Sequence, residues 1–340
     1  MCTAITYHGK CHYFGRNLDL EYSYRESVTV TPRNYPFHFR CAGPLNSHFA
    51  IIGVAMIDHN YPLYYDATNE HGLSIAGLNF PGNAVYLPKS EEFDNITPFE
   101  FIPWILGQCV NVSQAKDKIK GMNLVDIAYS SDYPLTPLHW IIADKEQAIT
   151  VEPTEHGLKI YENHIGVLTN NPPFDYHIQN LSNYLNLTAE EPKSRFSQHY
   201  TLLPYSRGMG AMGLPGDLSS SSRFVRAAFT KLNSVTKETE EESISQFFHI
   251  LGSVAQQEGC VKVGEHYEKT VYSSCCNVDE GIYYYTTYGN SQITGVSMHN
   301  TNLNDQKLTA YPLINFQQIR MENPKPNSPL KVFVQKLLRF

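Results

Sequence analysis

The chain has 340 residues, 42% of them hydrophobic and 17% charged, a globular composition that excludes a disordered chain. A formal net charge of −7 speaks against a general nucleic-acid binder, because phosphate contacts need clustered Lys and Arg. No apolar run reaches the roughly 18 residues of a membrane span, and the opening residues Thr3, Tyr7, His8 and Lys10 form no apolar signal segment, so a cytoplasmic protein is expected.

The first forty residues read as strands, "TAITYHG", "CHYFGRNLDLEYS" and "ESVTVTPRNY", each rich in β-branched or aromatic residues and closed by Gly, Asn or Pro. "FAIIGVAMI" and "GLSIAGLNF" continue the pattern. A helix is expected from "NITPFEFIPWILGQCV", with Thr97 as cap, Pro98 in the first turn and Glu100 completing a capping box. A shorter one follows in "VSQAKDKIKG", capped by Ser113 and stopped by Gly121. The middle returns to strands in "LHWIIAD", "QAITVEP", "GLKIYEN" and "IGVLTNN". Two helices, "SSRFVRAAFTKLNSV" and "EESISQFFHILGSVAQQ", precede a last meander of "TVYSSCCNV", "GIYYYTTY" and "SQITGVSMH", with "GN" as a hairpin signal. Blocks of strands alternate with blocks of helices, which favours mixed sheets with helices packed outside them over a doubly wound parallel fold.

The end of the chain stands apart. "MENPKPNSPLKVFVQKLLRF" starts Pro-rich and ends basic, with Phe333, Val334, Leu337 and Leu338 at helical spacing among Lys331, Lys336 and Arg339. It reads as a tail that packs on its own domain or frays, with contact to a partner or membrane surface as the other reading.

Several motifs lead nowhere. "GMGAMG" (Gly208 to Gly213) matches GxGxxG, but no strand precedes it and the turn "LPGD" follows, so a flexible loop is expected. Fourteen histidines show no HExxH or close metal spacing, so no metal site is expected. No GxSxG elbow is present. Seven cysteines, an odd number without regular spacing, make no disulfide framework. Cys275 and Cys276 should point to opposite faces of a strand, poorly placed to share a metal.

Cys2 is different. If Met1 is removed, one residue carries both a thiol and a free α-amine, whose ordinary pKa near 7.7–8.0 lets it act as a base at neutral pH. It could activate the sulfur without a histidine. Arg16 and Asp19 lie three apart in "FGRNLDLEYS", where a turn at Gly15-Arg16-Asn17 would bring both into one pocket. A guanidinium there would favour a thiolate, and a carboxylate would orient the amine.

Together with "MCTAITY", "TPRNYPF", "YDATNEHGLSIAGLNFPG", "PFEFIPWILGQC", "LTPLHW", "GVLTNNPPFDYH", "GMGAMGLPGDLSSSSRFVRAAF" and "YSSCCN", this stretch makes the sequence resemble the choloylglycine hydrolases. That family comprises bile salt hydrolases and penicillin V acylases of the N-terminal-nucleophile class. The stretches run in family order over residues 1–320, read as one domain, and leave residues 321–340 as a tail of unassigned role. The resemblance implies an α+β fold, an αββα sandwich of two antiparallel sheets flanked by helices. It implies Cys2 as nucleophile with its α-amine as base, and Arg16 and Asp19 holding that N-terminus. Asn170 and Asn79 would donate to the oxyanion, with Arg223 completing the polar network. It also implies no cofactor and no metal, and a homotetramer.

The implied reaction cleaves the amide of conjugated bile salts, releasing glycine or taurine. Alternatives are a penicillin V acylase or an inactive relative that only binds bile acids. Asn79 favours the bile salt, because penicillin acylases of the family tend to carry Tyr there. Leu18, Leu20 and Tyr65 would offer the steroid an apolar wall.

Overall fold

The computed structural model describes residues 1–323, so the basic amphipathic stretch of the tail, from Lys331 to Arg339, lies outside the described residues. The chain opens with β1 (Cys2–His8), β2 (His12–Leu20) and β3 (Ser27–Thr31), then the short pair β4 (Phe37–Phe39) and β5 (Gly43–Leu45). Next come β6 (Ile51–Asp58), β7 (Tyr61–Asn69), β8 (Ser74–Asn79), β9 (Asp94–Ile96) and helices α1 (Phe101–Leu106) and α2 (Val112–Lys120). β10 (Met122–Leu124) leads to β11 (Leu138–Ala143), β12 (Ala148–Thr154), β13 (Gly157–Glu162) and β14 (Val167–Leu168). Helices α3 (Phe174–Leu181), α4 (Ser220–Leu232) and α5 (Glu240–Gly252) follow. The last strands are β15 (Val261–Val263), β16 (His266–Asn277), β17 (Ile282–Thr287), β18 (Asn290–Ser297) and β19 (Thr309–Pro312).

One sheet runs β14-β1-β2-β16-β17-β18, with β15 beside β16; the other runs β13-β12-β11-β8-β7-β6-β3-β19. Every pairing within both is antiparallel. One core joins the sheets through Val30, Ile52, Leu78 and Ile141 and extends to Phe224 of α4 and Phe247 of α5. A second packs Phe101, Ile105 and Ile119 of α1 and α2 against Ile75 and Ile149. The layers are therefore helix, sheet, sheet, helix, an αββα sandwich.

β1 and β2 lie near the middle of the first sheet and are buried almost throughout. Their polar residues must therefore find partners inside the protein. Gly15 allows that depth: a Cβ there would come 2.0 Å from the Ser274 carbonyl oxygen on β16, so only glycine lets the two strands close up.

Local expectations are corrected in several places. No turn interrupts Gly15-Arg16-Asn17; β2 runs straight through it, paired residue by residue with β1. α1 starts at Phe101 with Glu100 as its N-cap, because Glu100 folds back on the Thr97 N–H at 3.4 Å and holds residues 97–100 in a turn. α2 is capped by Asn111, whose side chain accepts from the Gln114 N–H, and not by Ser113. β7 and α3 were not anticipated. The last hairpin closes between Thr287 and Asn290, so its turn is Tyr288-Gly289. "GMGAMG" holds a single 3₁₀ turn at Met209–Ala211, with Gly208 in the left-handed region.

All seven cysteines are free thiols. Among the described residues, no helix is long and apolar enough to cross a membrane.

Candidate active site

Cys2 begins β1 directly opposite Leu18 on β2, and Ala4 lies opposite Arg16. Side chains of paired residues share a face, so Cys2, Arg16, Leu18 and Leu20 point the same way, into a cleft of about 330 Å³. Tyr65, Asn79 and Trp140 line it as well. Its far wall is aromatic and carried on loops, with Phe99 just before α1 and Tyr129 and Tyr133 between β10 and β11.

Asp19 and Asn17 take the opposite face of β2. Arg16 and Asp19 thus flank the start of β1 from its two sides rather than sharing a pocket through a turn. Arg16 is fully buried and donates from Nη1 to the carbonyls of Tyr65 (3.1 Å) and Gly77 (2.5 Å) on the second sheet. Burial opposes its charge, but Cys2, Tyr272, Asp66 and Asp19 outweigh that, and its pKa ends above the ordinary value. Its Nη2 is buried without a hydrogen-bond partner among the described residues.

Behind β1, on the helix side, Arg223 of α4 gathers the backbone. Its Nη1 donates to the Cys2 carbonyl at 2.5 Å and to Thr3 Oγ1 at 2.6 Å, and its Nη2 to Asn170 Oδ1 at 2.7 Å. The Asp19 carboxylate stands 4.0 Å from the same guanidinium and accepts from Thr270 Oγ1 at 2.6 Å. Burial pushes the Asp19 carboxyl up and the Arg223 guanidinium down, and each partner's charge offsets the other's shift. Asp19 Oδ2 is buried with no hydrogen-bond donor among the described residues.

Asn170 follows β14, the edge neighbour of β1. Its Oδ1 accepts from the Cys2 N–H at 2.8 Å as well as from Arg223, which fixes the amide's orientation. Its Nδ2 donates to the Asn79 carbonyl at 2.7 Å, tying β14 to the end of β8 across the cleft. The Asn79 side chain, half-buried at the cleft, makes no hydrogen bond within the described residues.

Met1 precedes this cluster. Its amine donates to the Asp19 carbonyl at 2.8 Å and pairs with Glu268, and burial lowers its pKa below the ordinary α-amine value.

All nine residues singled out from sequence meet here. Leu18, Leu20 and Tyr65 line the cleft beside Cys2, Arg16 and Asn79, while Asp19, Asn170 and Arg223 form the polar cage around the β1 backbone. Sequence reasoning missed the aromatic wall, since Phe99, Tyr129 and Tyr133 sit on loops without periodicity. It also missed Thr3 and Thr270, two hydroxyls that look like ordinary strand residues.

A family model described as linear amide C–N hydrolases, choloylglycine hydrolase family, matches residues 2–311. A bile salt hydrolase/transferase of Lactiplantibacillus plantarum is 57% identical over 314 residues, covering 92% of this chain and 97% of the relative. A crystal structure of a conjugated bile acid hydrolase variant from Clostridium perfringens superposes with a TM-score of 0.88 at 36% identity, over 95% of this chain and 100% of the other. The penicillin V acylase of Agrobacterium tumefaciens, at 16% identity, shares the fold alone, with a TM-score of 0.72 over 94% of this chain and all of its own.

Proposed function

The chain belongs to the choloylglycine hydrolase family of linear amide C–N hydrolases, and on that premise we propose that it hydrolyses conjugated bile salts to free bile acid and glycine or taurine. The observation that carries the reading is the cage on Cys2: its N–H held by Asn170, its carbonyl by Arg223, and its side chain left facing an apolar cleft.

With Met1 removed, the Cys2 α-amine takes the proton of its own thiol, and the thiolate attacks the amide carbonyl. The tetrahedral oxyanion is stabilised by the Asn79 side chain, whose N–H groups have no partner among the described residues, and by Asn170. Neutral amide donors suit that task because they meet developing negative charge without titrating. The ammonium then protonates the leaving nitrogen, the C–N bond breaks and a thioester on Cys2 remains. Water attacks the thioester with the amine as base, releasing the acid and restoring the thiol.

Asp19 orients the amine; that its Oδ2 has no donor among the described residues supports this role. Arg16 lies beneath the sulfur. Leu18, Leu20 and Tyr65 receive the steroid, and no cofactor or metal takes part.

The reading also includes a homotetramer in the cytoplasm. Leu185, Leu203 and Tyr205 are 82–86% exposed on the long segment between α3 and α4, apolar surface that a second copy would cover. Light scattering on the purified protein measures the assembly.

The test is release of amine, read by ninhydrin, from glycocholate and taurocholate beside turnover of penicillin V. Both bile salts should give the higher kcat/KM. Penicillin V as the better substrate would make the chain an acylase, and binding without turnover would make it a bile-acid carrier. Intact mass should show loss of Met1. Cys2→Ser should abolish turnover, and iodoacetamide should inactivate at residue 2, not at the buried Cys275 or Cys276.

A further inference from the structure

Two buried histidines outside the reacting cluster grip the segment that carries Asn170. His139, on β11, points Nε2 at the Thr169 carbonyl at 2.9 Å and Nδ1 at Glu152 Oε1 at 3.0 Å. His177, on α3, points Nε2 at the Asn170 carbonyl at 2.9 Å. His139, Glu152 and His177 have no solvent exposure.

Both ring nitrogens of His139 are committed, one to the Thr169 carbonyl and one to Glu152, so the buried ring cannot turn without losing a hydrogen bond. Glu152 also accepts from the Phe174 N–H, at 3.1 Å and 3.3 Å to its two oxygens, and that N–H opens α3.

The contacts close a loop around Asn170. Glu152 holds both His139 and the first turn of α3; His139 holds Thr169; α3 returns through His177 to hold Asn170. Glu152 thus fastens the backbone of Thr169 and Asn170 from behind, while Arg223 and the Asn79 carbonyl hold the Asn170 side chain directly.

We infer that the buried His139–Glu152 pair is a positioning device that helps set Asn170 against Cys2. The inference rests on Asn170 belonging to the site proposed above, but the pair's hold on the segment can be read without any activity.

Hydrogen exchange over residues 169–174 reads that hold without turnover. It should be at least fivefold faster in His139→Gln and in Glu152→Gln than in wild type, and an unchanged rate overturns the inference.

His139→Gln and Glu152→Gln test the positioning. Alkylation of Cys2 by iodoacetamide needs no oxyanion donor, whereas hydrolysis does. Each variant should therefore lose at least fivefold in kcat, with KM and the alkylation rate within twofold of wild type. A kcat within fivefold of wild type, or alkylation falling in step with it, overturns the positioning role. If the wild-type protein releases no amine from bile salts, the functional reading fails while the exchange measurement stands.

Discussion

The cleft has two sides built on different principles. Its floor, around Cys2, is made of strand residues and buried charges: Arg16, Asp19 and Arg223 are all fully enclosed, and their partners are mostly backbone carbonyls and hydroxyls. Its far wall is made of aromatic side chains on loops, with Phe99 against Tyr129 edge to face at 5.2 Å and Tyr129 tilted against Tyr133 at 6.0 Å. The floor is fixed by ladder register, where a shift of one residue would turn every side chain to the other face. The wall is fixed by stacking, which tolerates adjustment. Changes in the floor should therefore appear in kcat and stability together, and changes in the wall in KM alone.

The largest effect tests the floor. Arg223→Met leaves Asp19 buried without its cation and the Cys2 carbonyl without its donor. Removing one partner of a buried pair typically costs about 3–5 kcal/mol, so the denaturant midpoint should fall steeply and turnover with it. Adding Asp19→Asn should recover much of the stability, because no bare charge remains, but none of the activity. Recovery of both would mean the pair is structural and the floor no more catalytic than the wall.

Asn79→Ala separates chemistry from stability at the boundary of the two regions. Its side chain makes no hydrogen bond within the described residues, so the folded state should lose little. Loss of one oxyanion donor costs about 2.7–4 kcal/mol of transition-state stabilisation, so kcat should fall on the order of a hundredfold or more. An unchanged kcat would remove Asn79 from the site.

Acid probes the floor from behind. Burial holds His177 down at about 4, below its ordinary 6.5. Between those values the unfolded chain binds the proton and the folded one does not, so stability rises with pH across this window. The contribution is present above pH 6.5 and lost as pH falls toward 4, on the order of 3 kcal/mol in all. Wild type should therefore lose more stability than His177→Gln over that range. Under the wall the sign is reversed: burial raises the Glu100 carboxyl, so the folded state takes up its proton first and acid costs nothing there.

The same division explains what could be read from sequence. The blocks of strands and helices were legible because alternation and turn residues report on sheets directly, whereas the two-sheet sandwich came only from the family resemblance. Cys2 stood out through its place at the chain's opening, and the other floor residues through motifs of the family pattern. The error at Gly15-Arg16-Asn17 is instructive. Glycine and asparagine read as a turn, yet the glycine serves the close approach of β16 and the asparagine side chain donates to the Leu251 carbonyl on α5. A strand covered on both faces carries polar residues for partners that sequence does not reveal. Glu152 and His139 escaped notice for the same reason, since their pairing depends on β11 and β12 lying together beneath β14.

The smallest effect belongs to the wall and tests whether it acts on binding alone. Arg40 lies over two of the three rings of the wall, its guanidinium carbon 5.3 Å from the Phe99 centroid and 5.6 Å from that of Tyr129. It also donates to the carbonyls of Ala128, at 3.2 Å, and Tyr129, while its own N–H is held by Glu100 at 2.7 Å. Arg40 thus bolts the turn before α1 to the loop after β10 from the solvent side. Because it is exposed, the cation–π contact is worth only about 0.5–1 kcal/mol, and the carbonyl bonds add a similar amount. Arg40→Met keeps the hydrophobic cover but cannot donate, so KM for glycocholate should rise roughly fivefold, a cost of about 1 kcal/mol, with kcat unchanged. A short-chain N-acylglycine, too small to reach the wall, should show no change in KM. If kcat falls as far as KM rises, the wall is coupled to the chemistry, and the cleft does not divide into a floor that reacts and a wall that binds.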